Sequence, residues 1–280
     1  MSIDETFSDL RKRGEGGLVA YITGGDPSPK YTPRLIEALN KGGADIIEVG
    51  IPFSDPIADG PIIQAADYRA LSSGTTPNAI FDAVREAKRR IETPIVLMTY
   101  YNILYRMGIE AFAKEAIRHR VDGLIIPDLP IEEAEDYRRI ARTEGLSTIF
   151  LATPLTSIGR LKGILGFSSG FLYLVSILGT TGTRDRVAQL TQETIKRLHG
   201  YTANVIPLAV GFGISEPRHV KTVIGCHAEA AIVGSAFVRK VQNSLGDPHK
   251  MVEEVSALAR DLKSATLSAD HKTGVLGQRT

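Results

Sequence analysis

The chain has one cysteine, Cys226, and no tryptophan among its 280 residues. A single thiol excludes an intrachain disulfide and a multi-thiolate metal site, and it is typical of a protein of the reducing cytoplasm. No apolar run is long enough to span a bilayer, and residues 1–17 lack the continuous apolar stretch of a secretion signal. The net charge of only +1 gives no global attraction for nucleic acid or an anionic membrane. We therefore expect a cytoplasmic protein without these two partners, which recognises any anionic substrate locally.

Several catalytic motifs are also missing. No HExxH or CxxC spacing occurs, and the six histidines fall in helices, connections or the tail, away from the ends of predicted strands. There is no Gly-x-Ser-x-Gly elbow and no Gly-x-Gly-x-x-Gly after the first predicted strand. No lysine lies on a predicted strand, where it could form a Schiff base. We therefore expect neither a metal nor an organic cofactor.

Eight short apolar runs alternate with helical segments along the chain. The runs are Leu18–Thr23, Asp45–Gly50, Pro94–Tyr100, Gly123–Pro127, Ser147–Ala152, Phe171–Ser176, Val205–Val210 and Ala230–Val233. Runs that are apolar throughout are typical of parallel strands buried on both faces. Their number favours a (β/α)8 TIM barrel, although an open doubly wound sheet has the same periodicity. We predict one barrel domain over residues 1–268 and a flexible tail over 269–280.

Helix signals occupy the segments between these runs. The clearest helices are predicted over Asn78–Ile91, Ile131–Glu144, Arg218–Ile224 and Lys250–Ala265. Ile3, Phe7 and Leu10 have helical spacing, which predicts an extra N-terminal helix that closes the lower end of the barrel. The long connection after the second strand predicts another extra helix over Pro61–Ser73. Such an elaborated loop lies at the C-terminal face, where barrel enzymes build their sites.

Two acids lie at the end of the second strand and in the loop that follows it. Glu48 is near the C-terminal end of an otherwise apolar strand, where an unpartnered carboxyl tends to keep its proton and can serve as a general acid or base. Asp59 follows in a loop stiffened by prolines. Simpler interpretations exist, because Glu48 could pair with a core cation and Asp59 could cap the helix over Pro61–Ser73. Together, the two acids indicate a catalytic site.

Glycine and small polar residues follow the sixth, seventh and eighth strands. These segments are Gly179–Thr183, Gly211–Ser215 and Gly234–Ala236. Glycine lets backbone N–H groups approach an anion, and the loops after strands seven and eight of such barrels recurrently bind phosphate. Turn formation explains any one loop, but three glycine-rich loops at one end of the barrel indicate a phosphate site.

Four aromatic residues lie on or near strand ends, where they could surround an aromatic substrate. They are Tyr21, Tyr100, Tyr173 and Phe212. Packing in the core is an equally good explanation for each of them.

The segment from Glu48 to Gln64 resembles the signature of tryptophan synthase α subunits. Further matches are Tyr21–Pro27, Met98–Asn102, Pro127–Pro130, Thr181-Gly182, Gly211–Ser215 and Gly234–Ala236. The resemblance extends over Phe7 to Lys240. It implies a barrel lyase that splits indole-3-glycerol phosphate into indole and glyceraldehyde 3-phosphate without a cofactor. It also implies a pyridoxal-phosphate-dependent β subunit as partner, in an α2β2 heterotetramer.

The resemblance, together with the placement of residues at strand ends, predicts the roles of the site residues. The catalytic residues are Glu48 and Asp59. The substrate-binding residues are Tyr173, Tyr100, Phe212, Ile63 and Thr181. The phosphate-binding residues are Gly182, Gly211, Gly213, Gly234 and Ser235. One departure from relatives, Ile177-Leu178-Gly179-Thr180 in the loop after the sixth strand, predicts altered contacts between this loop and the partner.

Two other functions are compatible with such a barrel. The first is an isomerase or ring-closing synthase for a phosphorylated sugar or indole, but such a site needs a lysine or cysteine at a strand end. The second is a catalytically weak barrel that mainly binds and activates the β subunit. The presence of both Glu48 and Asp59 favours the lyase.

Overall fold

The fold is a closed barrel of parallel strands. Residues 1–175, 184–211 and 213–267 are described in a computed structural model. The strands among them are β1 (Gly17–Thr23), β2 (Ile46–Gly50), β3 (Ile95–Met98), β4 (Gly123–Ile125), β5 (Ser147–Ile149), β6 (Leu151–Ala152), β7 (Leu172–Val175), β8 (Leu208–Gly211) and β9 (Ala230–Val233). Their order in the sheet is β5-β4-β3-β2-β1-β9-β8-β7-β6.

The two end strands of this sheet are halves of one strand, separated only by Phe150. β5 pairs with β4, whereas β6 pairs with β7. The Tyr173 N–H donates to the Phe150 carbonyl (3.1 Å) at the seam. The nine segments therefore occupy eight positions around a closed barrel. The predicted TIM barrel is confirmed, and the open sheet is wrong.

Twelve α-helices are found in the described residues. They are α1 (Ile3–Arg13), α2 (Thr32–Lys41), α3 (Pro61–Ser72), α4 (Pro77–Ala87), α5 (Tyr101–Met107), α6 (Ile109–Arg118), α7 (Glu135–Glu144), α8 (Ile158–Phe167), α9 (Arg184–Thr202), α10 (Pro217–Gly225), α11 (Ser235–Asn243) and α12 (Pro248–Ser264). Within this part of the chain, no helix has the length and apolar character needed to cross a bilayer. The tail predicted over 269–280 lies outside the described residues.

Two predicted elements start later than expected. The helix expected over Ile131–Glu144 begins as a 3-10 turn, and Ala134 departs from helical geometry (φ −94°, ψ 2°), so α7 begins at Glu135. The strand expected from Val205 begins at Leu208, because the N–H groups of Val205 and Ile206 still bond to the Thr202 carbonyl at the end of α9. In both cases, locally hydrogen-bonded turns occupy the first residues of the segment that was predicted as a regular helix or strand.

The N-terminal helix closes the bottom of the barrel, as predicted. Ser2 and Glu5 form a capping box at its start. Ile3, Phe7 and Leu10 are buried against the inward-facing side chains of the strands, and the rings of Phe7 and Phe171 lie 6.0 Å apart. Apolar side chains therefore fill the interior of the barrel at this end.

Carboxylates tie neighbouring strands together at the bottom of the barrel. The contacts are Asp45 Oδ2 with the Leu18 N–H (2.8 Å), Asp122 Oδ2 with the Ile95 N–H (2.8 Å) and Glu229 Oε2 with the Leu208 N–H (2.9 Å). Each acid directly precedes its strand, β2, β4 or β9, and bonds to the strand before it. A serine makes a similar contact: Ser169 Oγ, shortly before β7, accepts the Thr148 N–H of β5 (2.8 Å). These acids are structural and lie far along the strands from the end that carries Glu48.

Candidate active site

A cavity of about 240 Å³ opens at the C-terminal ends of the strands. Its lining consists of Tyr21, Glu48, Asp59, Gly60, Pro61, Ile62, Ile63, Met98, Tyr173, Gly213, Ile214, Ile232, Gly234 and Ser235. Seven of the predicted site residues therefore meet in one cavity, namely Glu48, Asp59, Tyr173, Ile63, Gly213, Gly234 and Ser235. Tyr100 and Gly211 are not part of the lining. Phe212, Thr181 and Gly182 lie outside the described residues.

Glu48 is a buried carboxyl without a partner. Its position on β2, paired in register with Tyr21 and Val96, turns the side chain into the barrel. It is 1% exposed, and Oε2 has no hydrogen-bond partner among the described residues. Burial, and secondarily the nearby Asp59 carboxylate, raises the pKa of Glu48 to about 8. No described cation pairs with it, so Glu48 is protonated at neutral pH and can donate a proton.

Asp59 is held by several contacts in the loop after β2. Its Oδ2 accepts the Tyr100 hydroxyl (2.7 Å), and its carbonyl accepts Gln64 Nε2 (2.8 Å). The N-cap of α3 is Gly60, without a side-chain cap, so Asp59 does not cap this helix. Burial raises the pKa of Asp59, whereas the Tyr100 hydrogen bond opposes that shift. The Asp59 side chain lines the cavity, where a ligand can reach it.

Tyr100 was predicted to bind substrate, but it does not line the cavity. It supports the loop after β2 instead. Its hydroxyl donates to Asp59 and accepts the Ala58 N–H (2.9 Å). Its ring stacks on Phe53 with 5.1 Å between centroids. Burial is the main cause of a raised pKa of the Tyr100 hydroxyl, which therefore stays a donor at physiological pH. Tyr100 acts on the site through Asp59.

Gly211 has a packing role that the sequence prediction missed. A Cβ at this position would lie 2.5 Å from the Tyr173 hydroxyl and 2.8 Å from its ring. The glycine therefore makes room for Tyr173, whose ring forms part of the apolar wall of the cavity. Gly211 itself does not line the cavity, so it affects the site only through the position of Tyr173.

The start of α11 forms one side of the cavity. Gly234 and Ser235 line the cavity where α11 begins, and Gly234 makes no side-chain cap, so the first N–H groups of the helix remain available. Gly213 has a left-handed backbone (φ +74°) that favours glycine and also lines the cavity. The helix N-terminus carries partial positive charge, so these backbone groups favour a phosphate.

Asp67 is a buried acid that the sequence interpretation missed. It lies on α3, and its carboxyl has a pKa raised to about 8 by burial and by the carboxylates of Asp59 and Asp26. Its spacing from Ile63 and Ala70 places it on the buried face of the helix. An acid at such a position in the helical pattern is the signal that could have identified it.

The chain is similar to proteins of one family over nearly its whole length. Residues 7–267 match the family described as tryptophan synthase alpha chain. A tryptophan synthase alpha chain from Methanosarcina acetivorans is 46% identical over 96% of this chain and 95% of its own length. The solved tryptophan synthase subunit alpha from Legionella pneumophila is 35% identical, with a TM-score of 0.86 over 95% of this chain and 98% of its own.

A further similar structure comes from a study of mutual activation in a tryptophan synthase α2β2 complex. Its source is the hyperthermophile Pyrococcus furiosus. That chain is 40% identical, with a TM-score of 0.82, and the match covers 89% of this chain and 98% of that chain.

Proposed function

The chain belongs to the tryptophan synthase alpha chain family, and on this premise we propose that Glu48 and Asp59 carry out its reaction. The reaction is the cleavage of indole-3-glycerol phosphate into indole and glyceraldehyde 3-phosphate, which makes the chain a carbon–carbon lyase of tryptophan biosynthesis. The observation that supports these roles best is the unpartnered, buried Glu48 in the same cavity as Asp59.

The first step is protonation of the indole ring. Glu48, whose pKa of about 8 keeps it protonated at neutral pH, delivers its proton to C3 and gives an indolenine. Positive charge then develops at the ring nitrogen. The Asp59 carboxylate accepts the hydrogen bond of the ring N–H and stabilises this charge.

The second step breaks the bond between C3 and the glycerol side chain. Glu48, now a carboxylate, takes the proton of the glycerol hydroxyl next to the ring. The C–O bond becomes a carbonyl, and the bonding electrons return to the ring and neutralise the nitrogen. Indole and glyceraldehyde 3-phosphate leave, and Glu48 has regained its proton. No group beyond this chain and its substrate takes part.

The remaining site residues bind the two ends of the substrate. The apolar wall that includes Tyr173 and Ile63 contacts the indole ring. The backbone N–H groups around Gly213, Gly234 and Ser235 bind the phosphate. By their positions in the sequence motif, Phe212 and Thr181 contact the substrate and Gly182 the phosphate.

The partner of the chain is the tryptophan synthase β subunit, in an α2β2 complex. The connections on the cavity side of the barrel carry exposed apolar side chains, among them Ile57 (83% exposed) and Leu155 (87% exposed). These connections follow β2 and β6, so a partner bound to them would cover the cavity and receive the indole. The cytoplasm is our proposed site of action, in keeping with the lone thiol Cys226.

Release of indole from indole-3-glycerol phosphate tests this proposal directly. We expect release by the chain alone and faster release with the β subunit. A chain that stimulates the β subunit but never releases indole would have only the binding role. Loss of release in Glu48→Gln and in Asp59→Asn, with phosphate binding retained, would assign the chemistry to the two acids.

A further inference from the structure

Helix α3 is an addition to the barrel and has little apolar anchoring. It packs on β1 and α11 through a small cluster around Tyr21, Ala66 and Val238. Tyr68 and Leu71, on its other face, are exposed. A helix with so little buried apolar area needs other contacts to keep a fixed position.

An ion pair between Asp26 and Arg69 provides the strongest of these contacts. Arg69 Nε and one terminal guanidinium nitrogen donate to the two carboxylate oxygens of Asp26 at 2.8 and 2.7 Å. Asp26, in the loop after β1, is 2% exposed, and Arg69 is 20% exposed. A bidentate pair fixes both distance and orientation. It therefore ties the C-terminal half of α3 to the barrel.

The start of α3 is continuous with the loop that carries Asp59. Gln64 Nε2 donates to the Asp59 carbonyl (2.8 Å), and the N–H groups of Ile63 and Gln64 donate to the Gly60 carbonyl (both 3.0 Å). Ile62 and Ile63, in the first turn, line the cavity. Any rotation or translation of α3 must therefore move Asp59 relative to Glu48 on the rigid β2.

Arg69 also offsets negative charge beside the site. The carboxylates of Asp26 and Asp59 both act on the buried Asp67 carboxyl, so the three acids form one cluster. Without Arg69, the Asp26 carboxylate would be buried in this cluster without its partner. Such a charge would draw in water or move away from its neighbours, and α3 would move with it.

We propose that Arg69 and Asp26 are positioning residues for the α reaction, holding α3 so that Asp59 meets the indole nitrogen. The inference rests on the proposed function, because it assigns a task to Asp59. Neither residue touches the substrate. The pair acts on catalysis only through the position of Asp59.

The test compares Arg69→Gln and Arg69→Lys with the surface variant Arg85→Gln, in complex with the β subunit. Arg85 pairs with Asp82 on α4 in an exposed contact (2.6 Å) and serves as the matched control. A displacement of about 1 Å can cost about 100-fold in rate, so we expect at least about a ten-fold loss of kcat in Arg69→Gln. Arg69→Lys keeps the charge without the bidentate geometry and should be intermediate. Inhibition by inorganic phosphate and the KM should stay within about two-fold, because the phosphate site lies on α11.

A double variant with Asp59→Asn separates positioning from a general loss of structure. If Arg69 acts through Asp59, Arg69→Gln causes no further loss of kcat once Asp59 is changed. Full kcat in Arg69→Gln, or losses that multiply in the double variant, would overturn the inference. If Arg69→Gln does not fold, the same cycle with Arg69→Lys decides.

A crystal structure of the Arg69 variant gives a readout that does not depend on activity. We expect the 2.7 Å contact between the Tyr100 hydroxyl and Asp59 to be lost or lengthened. An unchanged Asp59 would overturn the inference even if the unaltered chain proved inactive. An unaltered chain that releases no indole would refute the proposed function alone.

Discussion

At the scale of single residues, burial decides what Glu48 can do. An ordinary glutamate is ionised at neutral pH, but the pKa of Glu48 is raised to about 8 because the side chain is enclosed and unpartnered. General acid catalysis contributes about 10²- to 10⁴-fold to a rate. We therefore expect Glu48→Gln to lose at least about 100-fold in kcat while its affinity for substrate stays similar. Single-turnover release of indole, with substrate binding measured separately, checks this.

The same substitution should stabilise the fold, with a defined pH dependence. The pKa of Glu48 rises from 4.5 to about 8 on folding, so the folded state holds a proton that the unfolded chain has lost between these pH values. Stability of the unaltered protein therefore falls as pH rises through this window. Glutamine cannot ionise, so the Glu48→Gln variant does not lose stability in this way as the pH rises. The difference in unfolding free energy between variant and parent, from urea titrations, should be small near pH 4 and grow towards pH 8; a constant difference would contradict this.

Gly234 offers a paired test of the phosphate site. The nearest atoms that a Cβ there would meet belong to Tyr21, at 3.4 Å or more, which is ordinary van der Waals contact. Gly234→Ala should therefore retain phosphate inhibition. Gly234→Asp places a negative charge at the start of α11, where we propose that the phosphate binds, and should raise the KM at least about ten-fold. Equal KM values for the two variants would show that the phosphate does not bind at Gly234.

The sequence indicates a place in the cavity most clearly for a residue whose chemistry conflicts with its surroundings. Glu48 stands out because it is an acid in an apolar strand. Tyr100 and Gly211 do not stand out in this way, since tyrosine and glycine suit many environments. Their roles depend on which neighbour they meet, Asp59 in one case and Tyr173 in the other. Such contacts between distant parts of the chain are set by packing and cannot be derived from local spacing.

At the scale of elements, the number of apolar runs favoured the barrel, but the pattern did not predict the ends of its strands. The run Ser147–Ala152 is broken at Phe150, where pairing changes from β4 to β7. Local apolar character cannot indicate this break, because both halves are buried. Similarly, α9 delays β8 because backbone groups after the helix bond back to it. Boundaries of this kind depend on hydrogen bonds that form only in the folded chain.

The carboxylates at the bottom of the barrel should affect stability without affecting catalysis. Asp122 accepts from both the Ile95 N–H and the buried Lys88 ammonium, each at 2.8 Å. Removing one partner of a buried pair costs about 3–5 kcal/mol, so Asp122→Asn should lower the unfolding free energy by about 3 kcal/mol. Glu110→Gln, which breaks an exposed pair with Lys114, should leave the unfolding free energy nearly unchanged, because solvent screens this pair. Urea unfolding measures both, and kcat of the folded fraction should be unchanged in each; a loss of kcat in Asp122→Asn would show that the bottom of the barrel affects the site.

At the scale of the whole molecule, catalysis and assembly share one loop. The connection after β2 carries the exposed Ile57 and, two residues later, Asp59, our proposed catalytic residue, which Tyr100 and Gln64 hold in place. A β subunit that contacts Ile57 would therefore also restrict Asp59. Thr181, in the loop after the sixth predicted strand, lies outside the described residues.

Because one loop serves both tasks, binding of the partner and binding of ligand should be coupled. By linkage, a phosphate ligand that tightens binding of the β subunit must itself bind more tightly, by the same factor, when that subunit is present. Glycerol phosphate is a suitable ligand, since it occupies the phosphate site without reacting. We expect Ile57→Asp to weaken binding of the β subunit and to reduce this factor towards one, because the charge would be buried against the partner.

The control Leu245→Asp changes an exposed side chain that follows α11 and should leave the coupling intact. Calorimetric titrations of each ligand, with and without the other, measure the factor in both directions. A factor that stays the same in Ile57→Asp would show that the loop after β2 does not carry the coupling.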